Sequence, residues 1–219
     1  GGPMAHPVQP DSYMEINNFY TLTVYEKGAE IVRMYHSLLG AETYRKATDL
    51  YFDRHDGQAV TTDDFIAAMS DASGVDLNQF TRWYSQAGTP TLTVTDVYDA
   101  ACHEYRLTVE QSTPATPECQ LKQPFHLPLR MALLDVNGVQ MPLTLKNVGL
   151  LPNKDVVLNI TKASETFVFE GVTHEPVPSL LRGFCAPVKL DYGYTQAQLL
   201  FLASKDTDGF CRWEACQRL

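Results

Sequence analysis

The chain is 219 residues long, enough for one or two domains at about 150 residues each. Its 44% hydrophobic and 20% charged content is that of a folded globular protein and excludes a disordered chain. The formal net charge of −9, from 17 basic and 26 acidic residues, speaks against nucleic acid and anionic membrane surfaces as partners.

The opening residues, GGPMAHPVQPDSYM, have neither the positive region nor the apolar core of a secretory signal. No later run approaches the roughly 20 apolar residues of a membrane helix. Residues 1–25 read as irregular and then strand-like, over NNFYTLTVY, with a helix opening at Glu26. From Glu26 to Leu39 the apolar residues Ala29, Val32, Tyr35 and Leu39 recur near the helical period, and Gly40 is placed as a C-terminal cap. A second helix, Glu42 to Arg54, gathers Tyr44, Ala47, Leu50 and Tyr51 on one face. Thr61 or Thr62 caps a third through Phe65, Ile66 and Met69. Asp76 caps a fourth carrying Leu77, Phe80, Trp83 and Tyr84, which Gly88 and Pro90 stop.

At Pro90 the period changes to two. Alternating runs begin at Thr91 and Tyr105, and residues 127–134 and 139–145 flank Asn137-Gly138, a two-residue hairpin signal. Further runs over 155–160, 166–169 and 187–192 bring the count to about seven short strands. No helix separates them, so the expected arrangement is an antiparallel sandwich. From Thr195, itself a cap, the helical period returns through Leu199, Leu200, Leu202, Phe210, Trp213 and Cys216. The chain stops at Leu219 inside this pattern, which leads us to expect an internal piece of a longer protein.

Candidate chemistry is sparse. The six histidines (His6, His36, His55, His103, His126, His174) include no H-x-x-x-H pair, and Pro176 and Pro178 break the stretch after His174-Glu175. No G-x-S-x-G or phosphate-binding loop occurs. Asp63-Asp64 and Asp71 read as helix-start and surface charge. The five cysteines (Cys102, Cys119, Cys185, Cys211, Cys216) form no C-x-x-C pair and predict free thiols in a reducing compartment. The tyrosines remain. A phenol donates a hydrogen bond to a developing oxyanion without changing charge at neutral pH, provided it is rigidly held. From the residues alone, Tyr20 and Tyr25 read as packing groups.

The stretches AHPVQPDSYMEI and NNFYTLTVYEKGAEIVRM, then DLYFDRHDGQAVTTDDF, FTRWYSQAGTP, QSTPATPECQLKQPFHLPL, TFVFEGV, PVPSLLRGFCAPVKL and FCRWEACQRL, resemble the zinc aminopeptidase N family of the gluzincin clan, in its bacterial branch, in order and across the whole chain. The resemblance implies a multidomain α+β piece: the mainly helical end of a thermolysin-like catalytic domain over 1–89, a β-sandwich over 90–192, and the start of a C-terminal helical domain over 193–219. It implies that Tyr25 of VYEKG stabilises the tetrahedral transition state. Asn17 and Tyr20 match positions near the substrate pocket. Glu26, grouped with them as substrate-binding, matches an acidic position beside the catalytic tyrosine that either orients neighbours or caps the helix start. His6 and Pro7 match a segment packing close to the site. Gln9 stands where relatives carry a basic residue.

The family's H-E-x-x-H, its further glutamate ligand and its G-x-M-E-N motif are missing. The resemblance therefore implies Zn2+ in the full-length enzyme but none bound by this chain, which alone is expected to be inactive. Implied too are peptide substrates, a monomeric parent and a cytoplasmic location, with no nucleic acid or membrane partner. The alternatives are a non-catalytic sandwich serving as a binding or scaffold module, for which Tyr98, Tyr105 and Tyr192 are too scattered to form an aromatic row, and the epoxide-hydrolase side activity of one branch of the clan.

Overall fold

The computed structural model describes residues 22–58 and 60–219, with side chains described from Lys27 onward. It divides into two compact units: the chain up to Thr89 together with Pro114–Leu127, and Pro90–Thr113 together with Pro128–Leu219.

The first unit is helical. Helix α1 spans Leu22–Leu39, α2 Ala41–His55 and α3 Thr62–Ser73. The expected strand running to Tyr25 gives way to helix from Leu22 onward. Thr and Val resist helix only weakly, and the apolar stripe that α1 buries outweighs that local preference. Between α1 and α2, Gly40 takes a positive φ of 82° and its amide donates to the His36 carbonyl. Helix α3 starts in a reciprocal cap: the Asp64 amide donates to Thr61 Oγ1, and the Thr61 amide donates to Asp64 Oδ2 at 2.9 Å. Of the two threonines suggested by sequence, Thr61 is the cap. The fourth helix breaks up. Asp76 accepts from the Asn78 amide, and there follow a 3₁₀ turn over Gln79–Thr81 and a four-residue helix α4, Arg82–Ser85.

The second unit is built on two sheets. Strands β1 (Thr91–Asp99), β2 (Glu104–Ser112), β3 (Leu127–Leu134), β4 (Thr144–Leu145), β5 (Gly149–Leu150), β6 (Val156–Ile160), β7 (Ser164–Glu170), β8 (Val177–Leu180) and β9 (Lys189–Tyr192) form sheets ordered β5-β4-β7-β2-β1-β9 and β6-β3-β8. The pairs β1·β2, β2·β7, β4·β7, β4·β5 and β3·β8 are antiparallel, whereas at one edge β9 runs parallel to β1 from Thr91↔Lys189 to Val94↔Tyr192. In β2, Tyr105, Leu107, Val109 and Gln111 point inward and alternate with more exposed residues, as one buried face requires.

The reversal at Asn137-Gly138 exists. The Gly138 amide donates to the Asp135 carbonyl at 2.9 Å, and Gly138 has φ 79°. A Cβ on Gly138 would lie 2.9 Å from the Lys205 carbonyl oxygen, so the site needs glycine for the turn and for the close approach. The returning strand, however, pairs with β3 only at Gln140, and residues 144–145 cross to the larger sheet. The partner β3 takes instead is β8, whose prolines conceal it in the sequence.

Helices α5 (Gln196–Lys205) and α6 (Gly209–Arg218) complete this unit. Thr195 caps α5 in a reciprocal cap with Gln198, and Asp208 caps α6. Leu199, Leu202 and Ala215 pack on Ala132 and Leu134 of β3, so this strand is covered on both faces. Among the described residues no helix is long and apolar enough to cross a membrane.

Candidate active-site helix

Helix α1 carries two faces. Lys27, Ile31, Met34 and Tyr35 are buried at spacings of four, three and one, a stripe turned into the first unit. Ala29, Val32, Arg33 and His36 are exposed on the other side. Tyr25 lies four residues before Ala29 and seven before Val32, so its Cα belongs to the exposed face, in the first turns of the helix. Glu26 lies one position on, along the row of Glu30 and Arg33, which pair at 3.2 Å. Asn17, Tyr20, His6, Pro7 and Gln9 fall outside the described residues.

Among the described residues, Tyr35 and Lys27 both anchor the buried stripe. Tyr35 meets Tyr84 hydroxyl to hydroxyl at 2.9 Å and packs on Phe80 at 4.6 Å between ring centroids. Eight residues earlier, Lys27 Nζ donates to the Gln86 carbonyl at 3.3 Å, with the lysine fully buried. Loss of water, and then the neighbouring Lys122 ammonium, push the Lys27 pKa down to about 8. Burial also raises the Tyr84 phenol to about 12 and the Tyr35 phenol further, so both stay neutral donors at physiological pH.

The Gln86 turn is itself braced. Its side chain accepts from the Gln123 amide at 2.9 Å and donates to the Gln123 carbonyl at 2.8 Å. Lys122 Nζ donates to the next carbonyl, Ala87, at 2.8 Å and to Thr116 Oγ1 at 2.6 Å. Trp83 stacks on Phe125 with centroids 4.0 Å apart and donates its indole N–H to the His126 carbonyl at 2.8 Å. Thus Pro114–Leu127, although it links two strands, packs as part of the helical unit. The sequence reading named Tyr25 and Glu26 but missed Lys27 between them and the helix stripe. The signal available was a lysine four residues before Ile31, on the apolar face.

Elsewhere, burial pushes the Cys185 thiol up to about 11 and the Cys211 thiol higher, so neither is an activated nucleophile. All five cysteines are free thiols. Among the described residues no group of three or more His, Cys, Asp or Glu side chains is placed to hold a metal ion. The second unit has a mainly apolar cavity of about 510 Å3, lined by Leu181, Phe184, Leu199, Phe210 and Trp213 among others, with the charged Lys189, Glu214 and Arg218 also in its wall. Tyr105 and Tyr192, far apart in sequence, converge on one oxygen of Asp96, each donating at 2.6 Å. Both are buried, so they form an internal clamp and not an exposed aromatic row.

Residues 2–84 match the model of the peptidase family M1 domain, and residues 88–193 match a domain of unknown function (DUF3458) with an Ig-like fold. The chain is 54% identical to Aminopeptidase N of Escherichia coli and 50% identical to Aminopeptidase N of Haemophilus influenzae, with 99% of the chain and 24% of each relative covered. It therefore spans about a quarter of the length of the curated relatives it matches. Among solved structures, Legionella pneumophila aminopeptidase A in complex with aspartic acid superposes with a TM-score of 0.83 at 32% identity, over 99% of this chain and 24% of that one.

Proposed function

We propose that this chain, which belongs to the M1 peptidase family, is one wall of the active site of a zinc-dependent aminopeptidase releasing N-terminal residues from peptides. Tyr25 is its reacting group: the phenol donates a hydrogen bond to the oxygen that gains charge as the scissile carbonyl becomes tetrahedral. Asn17, Tyr20 and Glu26 shape the pocket for the peptide's first residues. The described residues do not fit a zinc ion, since no cluster of ligating side chains occurs among them. The reading assigns the metal, with the Lewis-acid chemistry it supplies, to a part of the parent beyond this chain. It divides the chain at 89/90 and 192/193 into catalytic, sandwich and helical portions. It places a monomeric parent in the cytoplasm, without nucleic acid or membrane partners.

The observation that supports this reading most is the asymmetry of α1. The helix is fastened through Lys27 and Tyr35, which leaves the face carrying the Tyr25 backbone clear of the unit's own core. A donor needs such a setting, because its geometry must be fixed while its tip stays available.

The test is Tyr25→Phe in the full-length protein, followed by release of a chromogenic group from an alanyl amide. The expected loss is about 100-fold or more in kcat, with KM and zinc content unchanged. Full activity in the variant would make Tyr25 a packing residue. Turnover by the isolated chain with added zinc would overturn the assignment of the metal to another part of the parent.

A further inference from the structure

Lys27 is a costly choice for its position. Lysine is almost never fully buried without a specific partner, and a methionine would fill much the same space with no charge to desolvate. Its Nζ reaches the Gln86 carbonyl at 3.3 Å, while Lys122 Nζ reaches the adjacent Ala87 carbonyl at 2.8 Å. Two consecutive carbonyls are therefore held by amines from separate segments. The turn bearing them is pinned to Gln123 by both ends of the Gln86 amide. Two residues along a helix is a rotation of about 200°. The fastening point and Tyr25 thus sit on opposite sides of the same turn.

We propose that Lys27 is a positioning residue for the peptidase reaction: it ties the first turns of α1 to the braced Gln86–Ala87 turn and so sets the height and rotation at which Tyr25 is presented. The inference rests on Tyr25 being the oxyanion donor. A group carried on a helical turn moves with that turn, and a displacement of about 1 Å costs a reaction of this kind up to about 100-fold. A lysine acting this way affects the transition state more than substrate binding.

The experiment is a double-mutant cycle in the full-length protein with Lys27→Met, Tyr25→Phe and the double variant, alongside Gln86→Ala. Lys27→Met is expected to lower kcat by about 10- to 100-fold while KM stays within about twofold. In the Tyr25→Phe background the same change should have no further effect on kcat. Gln86→Ala, which loosens the turn from the other side, should lower kcat less and be silent in that background too; it carries the comparison if Lys27→Met fails to fold. Effects of Lys27→Met and Tyr25→Phe that multiply would overturn the inference while leaving the role of Tyr25 intact. Unchanged kcat in Lys27→Met, or in Gln86→Ala where Lys27→Met does not fold, would overturn it as well. Full activity in Tyr25→Phe would remove the donor reading itself, and this inference with it.

Discussion

Both units bury a long cationic side chain, and they accommodate it in opposite ways. In the helical unit, Lys27 donates to the neutral carbonyl of Gln86, and the loss of water lowers its pKa to about 8. In the sandwich unit, Arg182 donates to Asp206 Oδ1 at 3.0 Å, to Asp155 Oδ2 at 3.2 Å and to Ser179 Oγ at 2.8 Å, while Ser179 donates to Asp206 Oδ2 at 2.6 Å. Arginine stays protonated in proteins, and its planar fork suits carboxylates. The second arrangement is a permanent weld between β8 and the turn joining α5 to α6. The first is a joint whose strength depends on protonation. The adjustable joint lies beside the candidate site, and the weld lies where only architecture is at stake.

The contrast is easiest to break at Arg182. Arg182→Met leaves Asp206, whose side chain is fully buried, without its counter-charge, at an expected cost of about 3–5 kcal/mol in chemical denaturation. Adding Asp206→Leu should return much of that loss, since a buried pair replaced whole by apolar groups is commonly near neutral. A single variant as stable as the parent chain would show that the network is no weld.

Gly138→Ala tests the same joint from its neighbour. The new methyl meets the Lys205 carbonyl one residue before Asp206, at a φ that L-residues avoid, so about 2–4 kcal/mol of stability should be lost.

The joint at Lys27 is sharpened by pH. The folded state binds this proton less tightly than the unfolded chain, whose lysine pKa is about 10.4. Below pH 8 both states are protonated and the desolvation cost is present in full. From about pH 8 to 10 the unfolded state holds more protons, and stability rises. Lys27→Met has no such proton, so the stability of the wild type relative to that variant should climb by about 1–2 kcal/mol over this range. A flat difference would mean that Lys27 keeps an ordinary pKa and that the two joints are alike.

What could be read in the sequence follows from how local each signal is. Caps are local: Thr61 or Thr62 and Thr195 stood out as helix starts, and the structure selects Thr61, paired with Asp64, and Thr195, paired with Gln198. Two-residue alternation marked β1, β2 and β7, because each exposes one face. Strand β8 was missed, since its place is fixed by pairing with β3, about 45 residues away, and not by its own proline-bearing pattern. The start of α1 was placed four residues late because Thr21 to Tyr25 alternates locally. Only the burial of Ile31, Met34 and Tyr35 decides for helix. Tyr25 stood out through a family resemblance. Lys27, in the same motif, was invisible as an anchor because Gln86 is 59 residues away. The convergence of Tyr105 and Tyr192 on Asp96 was hidden for the same reason.

The parallel edge pair has a mechanical consequence. The chain comes into β1 at Pro90 and leaves β9 after Tyr192, and these two strands lie side by side, pointing the same way. Tension applied between those two points pulls β1 backwards and β9 forwards along a common axis. The backbone bonds from Thr91↔Lys189 to Val94↔Tyr192, with the Lys189 amide on the Pro90 carbonyl at 3.0 Å, are then loaded together in shear and cannot be opened one at a time like a zip. A short edge strand of four residues thereby becomes the stitch that resists stretching of the whole sandwich.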